Sequence, residues 1–100
     1  MKEPAETHIL AEIWDVIGER AQNPRPDSYT TRLLTDEKGI DKVLEKVGEE
    51  STEFILAVKN GVDERTVGEA ADLLFHLLVA LRAADLELSD VMQELEHRKK

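Results

Sequence analysis

Two acidic clusters carry the residue types and spacings that could do chemistry: Glu49, Glu50 and Glu53 within KVGEESTEF, then Glu69 and Asp72 within EAADLLFHLLVAL. Glu50 and Glu53 stand three apart, as do Glu69 and Asp72, so each pair stacks on one side of a helix about one turn apart. From Ala70 to Leu81 the only polar residues are Asp72 and His76, and burying an unpaired carboxylate in such a segment would be costly. Something positive is therefore expected opposite Asp72. Like charges held together raise a pKa or demand a cation, and hard oxygen donors at this density suit magnesium or manganese. Zinc is a poor match, because His8, His76 and His97 show no H-E-x-x-H spacing, and no EF-hand loop is present.

Whether the clusters can meet depends on the elements that carry them. Ile9, Ile13 and Ile17, with Leu10, Trp14 and Ala21 beside them, predict a helix from Ala5 to about Gln22, which Asn23, Pro24 and Pro26 end. Asp27 to Gly39 reads as a loop carrying a short helix that starts near Ser28, a good N-cap, and includes Leu33 and Leu34. A long helix is expected from Ile40 to Lys59, stopped by Asn60 and Gly61, and another from Glu64 to about Ala84, capped by Asp63. The last helix is expected to start at Ser89 and to gather Val91, Met92 and Leu95, ahead of a basic end from His97 to Lys100. Nothing alternates with a strand period, so the expected fold is all-α: an antiparallel bundle of four main helices plus a short one, forming a single domain over 1–100.

The two long helices, joined by a few residues, should pack antiparallel. At about 100° per residue, Phe54, Val47, Val58, Leu44 and Ile55 share an arc with Val43, and Glu50 extends that seam while Glu53 and Glu49 continue one acidic strip. On the next helix Leu74, Leu78, Leu81, Ala71 and Phe75 form the main apolar face with Val67. Asp72, His76 and Glu69 lie on another side, so four carboxylates from two helices converge.

The competing explanations are ordinary ones. Glutamates at this spacing commonly form a solvated face paired with lysines, and Asp72 could be a core residue hydrogen-bonded to His76. Trp14 reads as core. The composition narrows the function classes further. A net charge of −9 over 100 residues disfavours nucleic acid and anionic membrane as partners, and no stretch approaches a membrane span or a secretory signal. With no cysteine the chain fits a reducing cytosol, and its thin core suggests dimerisation.

The pattern Glu49-Glu50-x-x-Glu53, fifteen residues, then Glu69-x-x-Asp72 resembles the metal motif of the all-α nucleotide pyrophosphohydrolases, the MazG-like superfamily. SYTTRLL at 28–34, KVGEESTEF at 46–54 and DLLFHLLV at 72–79 resemble, within it, the phosphoribosyl-ATP pyrophosphatase family of histidine biosynthesis, over about Ile9 to Arg98. The resemblance implies a cytoplasmic homodimer that uses Mg²⁺, with Mn²⁺ as a substitute, to cleave the α–β phosphoanhydride of phosphoribosyl-ATP. Phosphoribosyl-AMP and pyrophosphate would be the products. It implies Glu50, Glu53, Glu69 and Asp72 as metal ligands, with Glu49 as a further ligand or water-orienting base. Phe75 and Ser51 stand where the family often has Tyr and Ala, and no carboxylate is lost. The chain ends soon after Arg98 without a cyclohydrolase domain, so a free-standing enzyme is expected.

Phosphoanhydride hydrolysis needs charge neutralised on the leaving group, water placed in line, and a nucleophile near neutral pH. Metal held by the four carboxylates would serve, with Glu49, Glu53 or a metal-bound hydroxide activating water, since no serine, cysteine or histidine constellation offers a covalent route. Lys46, Lys42 and Arg20 are candidates for holding phosphates. Ser28, Tyr29 and Thr30 could line the ribosyl or adenine pocket, with Tyr29 stacking, and His76 is assigned an orienting role. A house-cleaning NTP or dNTP pyrophosphohydrolase would share the metal site and differ around 20–35. An acidic helical adaptor would need no convergence at all.

Overall fold

The computed structural model describes residues 5–99, with side chains from His8 onward. The charged start at 1–4 and Lys100 of the basic end lie outside these residues. Five helices follow in order: α1 (Ala5–Gln22), α2 (Tyr29–Leu34), α3 (Ile40–Asn60), α4 (Asp63–Ala83) and α5 (Leu88–Arg98), with no strand among the described residues. The all-α expectation of four main helices and a short one holds.

Each boundary has a local cause. Ser28 Oγ accepts from Thr31 N at 3.2 Å and starts α2, as a serine N-cap should. Gly61 takes φ 69° and ends α3, its N–H reaching Val58 O at 3.1 Å while Val62 N reaches Ala57 O at 3.4 Å. This paired arrangement is a Schellman turn, and it hands the chain to α4 within two residues. Asp63 was expected to cap α4 but is its first helical residue. Val62 takes the cap position without a side-chain bond, and Asp63 acts only through charge beside the helix N-terminus. Replacing Gly61 with Ala puts a side chain at a left-handed backbone with no atom within 4 Å, so the cost is purely conformational. A loss of about 1 kcal/mol is expected by chemical denaturation.

The core gathers Trp14 and Ile17 from α1, Leu33 from α2, Val43 from α3, Leu78 and Val79 from α4, and Leu88 at the start of α5. Thus α4 is central, touching α1, α2 and α3, and its most extensive partner is α3. Two expectations fail here. On α5 the buried residue is Leu88, one position before the expected start, while Met92 and Leu95 are exposed. On the hairpin Leu44, Ile55, Val58, Val67 and Leu74 belong to the apolar faces expected from periodicity, yet all are at least half exposed. Burial within this chain falls on Val43 and Ala57 of α3, away from the stripe of Leu44, Ile55 and Val58, and on α4 it falls on Leu78 and Val79 in the C-terminal half, while Val67 and Leu74 on the same side as Leu78 stay uncovered.

Candidate functional site

The hairpin brings the two acidic clusters together. One carboxylate oxygen from each of Glu50, Glu69 and Asp72 lies within 4.8 Å of the others. These residues share a cavity of about 310 Å³ with Lys46, Glu49 and Glu53. Glu53 is on its wall rather than in the tight group, with its Oε2 3.8 Å from Arg65 Nη2. Asp72 departs from expectation in being exposed, because α4 turns this residue toward the open cavity. Its link to His76 is also different: His76 Nδ1 is 2.7 Å from the Asp72 backbone carbonyl, which leaves the Asp72 carboxylate outside that bond.

Electrostatics in the cavity is uneven. Lys46 Nζ stands 3.0 Å from Glu49 Oε2 and 3.8 Å from Glu50 Oε1. Through the hydrogen bond and charge of Lys46, Glu49 is held below the usual carboxylate range, with Lys42 adding to the effect. Glu69 moves the opposite way. Burial, then the hydrogen-bonding approach and charge of Glu50 and the charges of Glu53 and Asp72, push it up. Its Oε2 is closed to solvent and has no hydrogen-bond partner among the described residues. A buried carboxylate oxygen with no donor, facing two further carboxylates, fits a hard divalent cation.

This arrangement predicts a stability signature. A carboxyl raised in the folded state contributes stability that is complete below its unfolded pKa and is lost as pH rises through the raised value. The Glu69 contribution to metal-free protein is therefore expected to fall as pH climbs out of the carboxylate range, against the opposite contribution of Glu49, whose carboxyl is lowered. It is read as the difference between wild type and Glu69→Gln in thermal melts with chelator, where Glu69→Gln should gain relative to wild type as pH rises, and added Mg²⁺ should reverse that difference.

The remaining sequence-predicted residues divide between two places. Arg20, Ser28 and Thr30 line a separate cavity of about 230 Å³ with Val16, Arg25 and Asp27. Arg20 also pairs with Glu19 there, and Arg25 pairs with Asp27 at 3.2 Å. Tyr29 bridges toward the acidic group, its hydroxyl 2.8 Å from Nε2 of buried His76. Phe75 stacks on the Tyr29 ring at 6.2 Å between centroids. Sequence reasoning missed Arg25, Arg65 and Arg82. Of these only Arg82 left a signal, being the lone charge in the nearly apolar second half of α4.

A model of the phosphoribosyl-ATP pyrophosphohydrolase family matches residues 10–99. The chain belongs to that family. Among its relatives is the phosphoribosyl-ATP pyrophosphatase of Methanoregula boonei, 70% identical over 99 residues, covering 99% of this chain and 95% of the relative. That of Methanoculleus marisnigri is 62% identical over 93 residues, covering 93% and 96%. The chain also resembles part of the histidine biosynthesis bifunctional protein HisIE of Gloeobacter violaceus, 46% identical over 97% of this chain and 42% of the relative. Such similarity explains why the carboxylate spacing and the family resemblance agree. No helix among the described residues is long and apolar enough to cross a membrane.

Proposed function

We propose that this chain hydrolyses the α–β phosphoanhydride of phosphoribosyl-ATP, with magnesium, to phosphoribosyl-AMP and pyrophosphate, the second step of histidine biosynthesis. The carrying observation is the group of Glu50, Glu69 and Asp72, whose oxygens lie within 4.8 Å of one another in a chain of this family. These three residues would hold magnesium directly, with Glu53 on the cavity wall as an outer carboxylate that supports the set. Bound there, the ion offsets charge on the departing pyrophosphate and lowers the barrier to generating a nucleophile near neutral pH. The same carboxylates would accept manganese as a hard substitute.

The chain's own groups do the rest. Lys46 and Lys42 meet phosphate oxygens, and Arg20 holds anionic substrate at the neighbouring cavity with Ser28 and Thr30. Glu49 is ionised and about 60% exposed, so it can take the proton of an attacking water. Substrate phosphates compete with Glu49 for Lys46, and a Glu49 freed of that partner is the stronger base. The deciding experiment is pyrophosphate release from phosphoribosyl-ATP against a panel of NTPs and dNTPs. If a common nucleotide is turned over far faster, a house-cleaning role replaces this one.

We further propose that the chain works as a homodimer. Leu44, Ile55 and Val58 make one exposed stripe on α3, and Val67, Leu74 and Leu77 make another on α4. Exposed large apolar side chains at this density on two packed helices support burial against a second copy. Sedimentation should find a dimer, and Ile55→Glu should shift it toward monomer. A stable, active wild-type monomer would end the dimer proposal alone.

A further inference from the structure

The hydrogen bonds around His76 have a polarity. The Asp72 carbonyl can only accept, so Nδ1 of His76 carries a proton and donates to it at 2.7 Å. In the neutral ring Nε2 is then an acceptor, and the Tyr29 hydroxyl at 2.8 Å donates its proton to it. His76 is 5% exposed and is flanked by the Phe75 and Tyr29 rings at 5.2 and 5.7 Å, so the ring has little freedom to turn. Tyr29 by contrast is 42% exposed. Lys46, Glu50, Glu49 and Asp72, which line the acidic cavity, all act on its phenol through their charges, and its hydroxyl is joined through His76 to the backbone of Asp72. Burial, the largest influence on that phenol, favours its protonated form.

A tyrosine whose proton is already donated cannot donate to a phosphate. Its oxygen can still accept. With the scissile phosphates held at the carboxylates, the donors covalently nearest to them are the hydroxyls of the nucleoside ribose. We propose that Tyr29 is a specificity-determining residue whose oxygen accepts a hydrogen bond from a hydroxyl of that ribose, and that His76 is the positioning residue that fixes its proton. This inference rests on the pyrophosphohydrolase reading and extends it to the sugar.

The test compares phosphoribosyl-ATP with counterparts lacking the 2′- or 3′-hydroxyl on the nucleoside ribose, and with counterparts deoxygenated on the phosphoribosyl group. Wild-type protein should favour the intact nucleoside ribose in kcat/KM by roughly three- to tenfold, the worth of one neutral hydrogen bond, and mainly through KM. Tyr29→Phe should abolish that preference, and His76→Gln should reduce it with Tyr29 still present. Nitrogen NMR of the His76 ring in the substrate-free protein should find the proton on Nδ1. A preference unchanged in Tyr29→Phe overturns the proposal, as does a proton on Nε2 or a preference tied to the phosphoribosyl sugar. Tyr29→Phe removes one partly exposed oxygen, so it keeps the comparison open should His76→Gln not fold. If phosphoribosyl-ATP is not hydrolysed at all, the function proposal fails separately, and the ribose preference is read from binding of magnesium ATP against its deoxy forms.

Discussion

Glu50→Gln, Glu69→Gln and Asp72→Asn are each expected to reduce pyrophosphate release from phosphoribosyl-ATP by more than about a hundredfold. Each substitution keeps shape and removes one of three charges whose oxygens lie within 4.8 Å of one another. Outer partners of metal ligands already change affinity or activity about 10–100-fold, so direct ligands should exceed that. Glu53→Gln should lose less, about tenfold, because Glu53 stands on the cavity wall facing Arg65 rather than in the tight group. A magnesium titration separates the causes: ligand loss moves the half-saturating concentration, whereas loss of a base moves the plateau. Glu49→Gln should move the plateau. Should the three substitutions leave the rate within twofold of wild type, the proposed metal site is wrong. The unpartnered Glu69 Oε2 supplies a second readout, since Glu69→Gln also removes repulsion from the metal-free fold and should not lower its melting temperature above the carboxylate range.

The convergence of Glu50, Glu69 and Asp72 was legible because it depends on local rules: spacing of three on a helix, a glycine stop at Gly61 and a connection too short for anything but a hairpin. Periodicity also marked α1 and placed Trp14 in the core. It could not say which stretch of an apolar stripe on a central helix is covered by its own chain. Val67 and Leu74 satisfy the helical period as well as Leu78 does, yet only Leu78 is buried. Nor could spacing separate Glu53 from its neighbours, because Arg65, which faces it, lies across the Gly61 turn on α4.

The same limit hid the His76 bonds. Sequence pairs Asp72 with His76 at one helical turn, and both the carboxylate and the backbone carbonyl of Asp72 are within conceivable reach. The structure selects the carbonyl, leaving the carboxylate for the cavity. A single residue thus serves two elements of the site: its backbone orients His76, and its side chain joins the acidic group. That division explains how Asp72 can be exposed although its segment is almost entirely apolar.

Gly18→Ala should destabilise the protein on its own and stabilise it when Arg82 is first replaced by Ala. A methyl group at residue 18 would stand 2.6 Å from Arg82 Nη2 and 2.9 Å from its Cζ, so the guanidinium must move. Such a tip ordinarily yields at little cost. This one is held: Nη2 donates to the Trp14 carbonyl at 3.2 Å, and Cζ lies 4.0 Å over the Trp14 ring. Losing part of a charged hydrogen bond and a cation–π contact costs about 2–3 kcal/mol, against a gain of about 1 kcal/mol from replacing glycine inside a helix. The balance is a loss of about 1–2 kcal/mol in chemical denaturation. Arg82→Ala removes the obstacle and leaves only the helical gain, so the second substitution should now add up to about 1 kcal/mol. This reversal of sign measures the coupling between Gly18 on α1 and Arg82 on α4. If Gly18→Ala has the same effect in both backgrounds, Arg82 does not hold α1 to α4 in the way its geometry indicates.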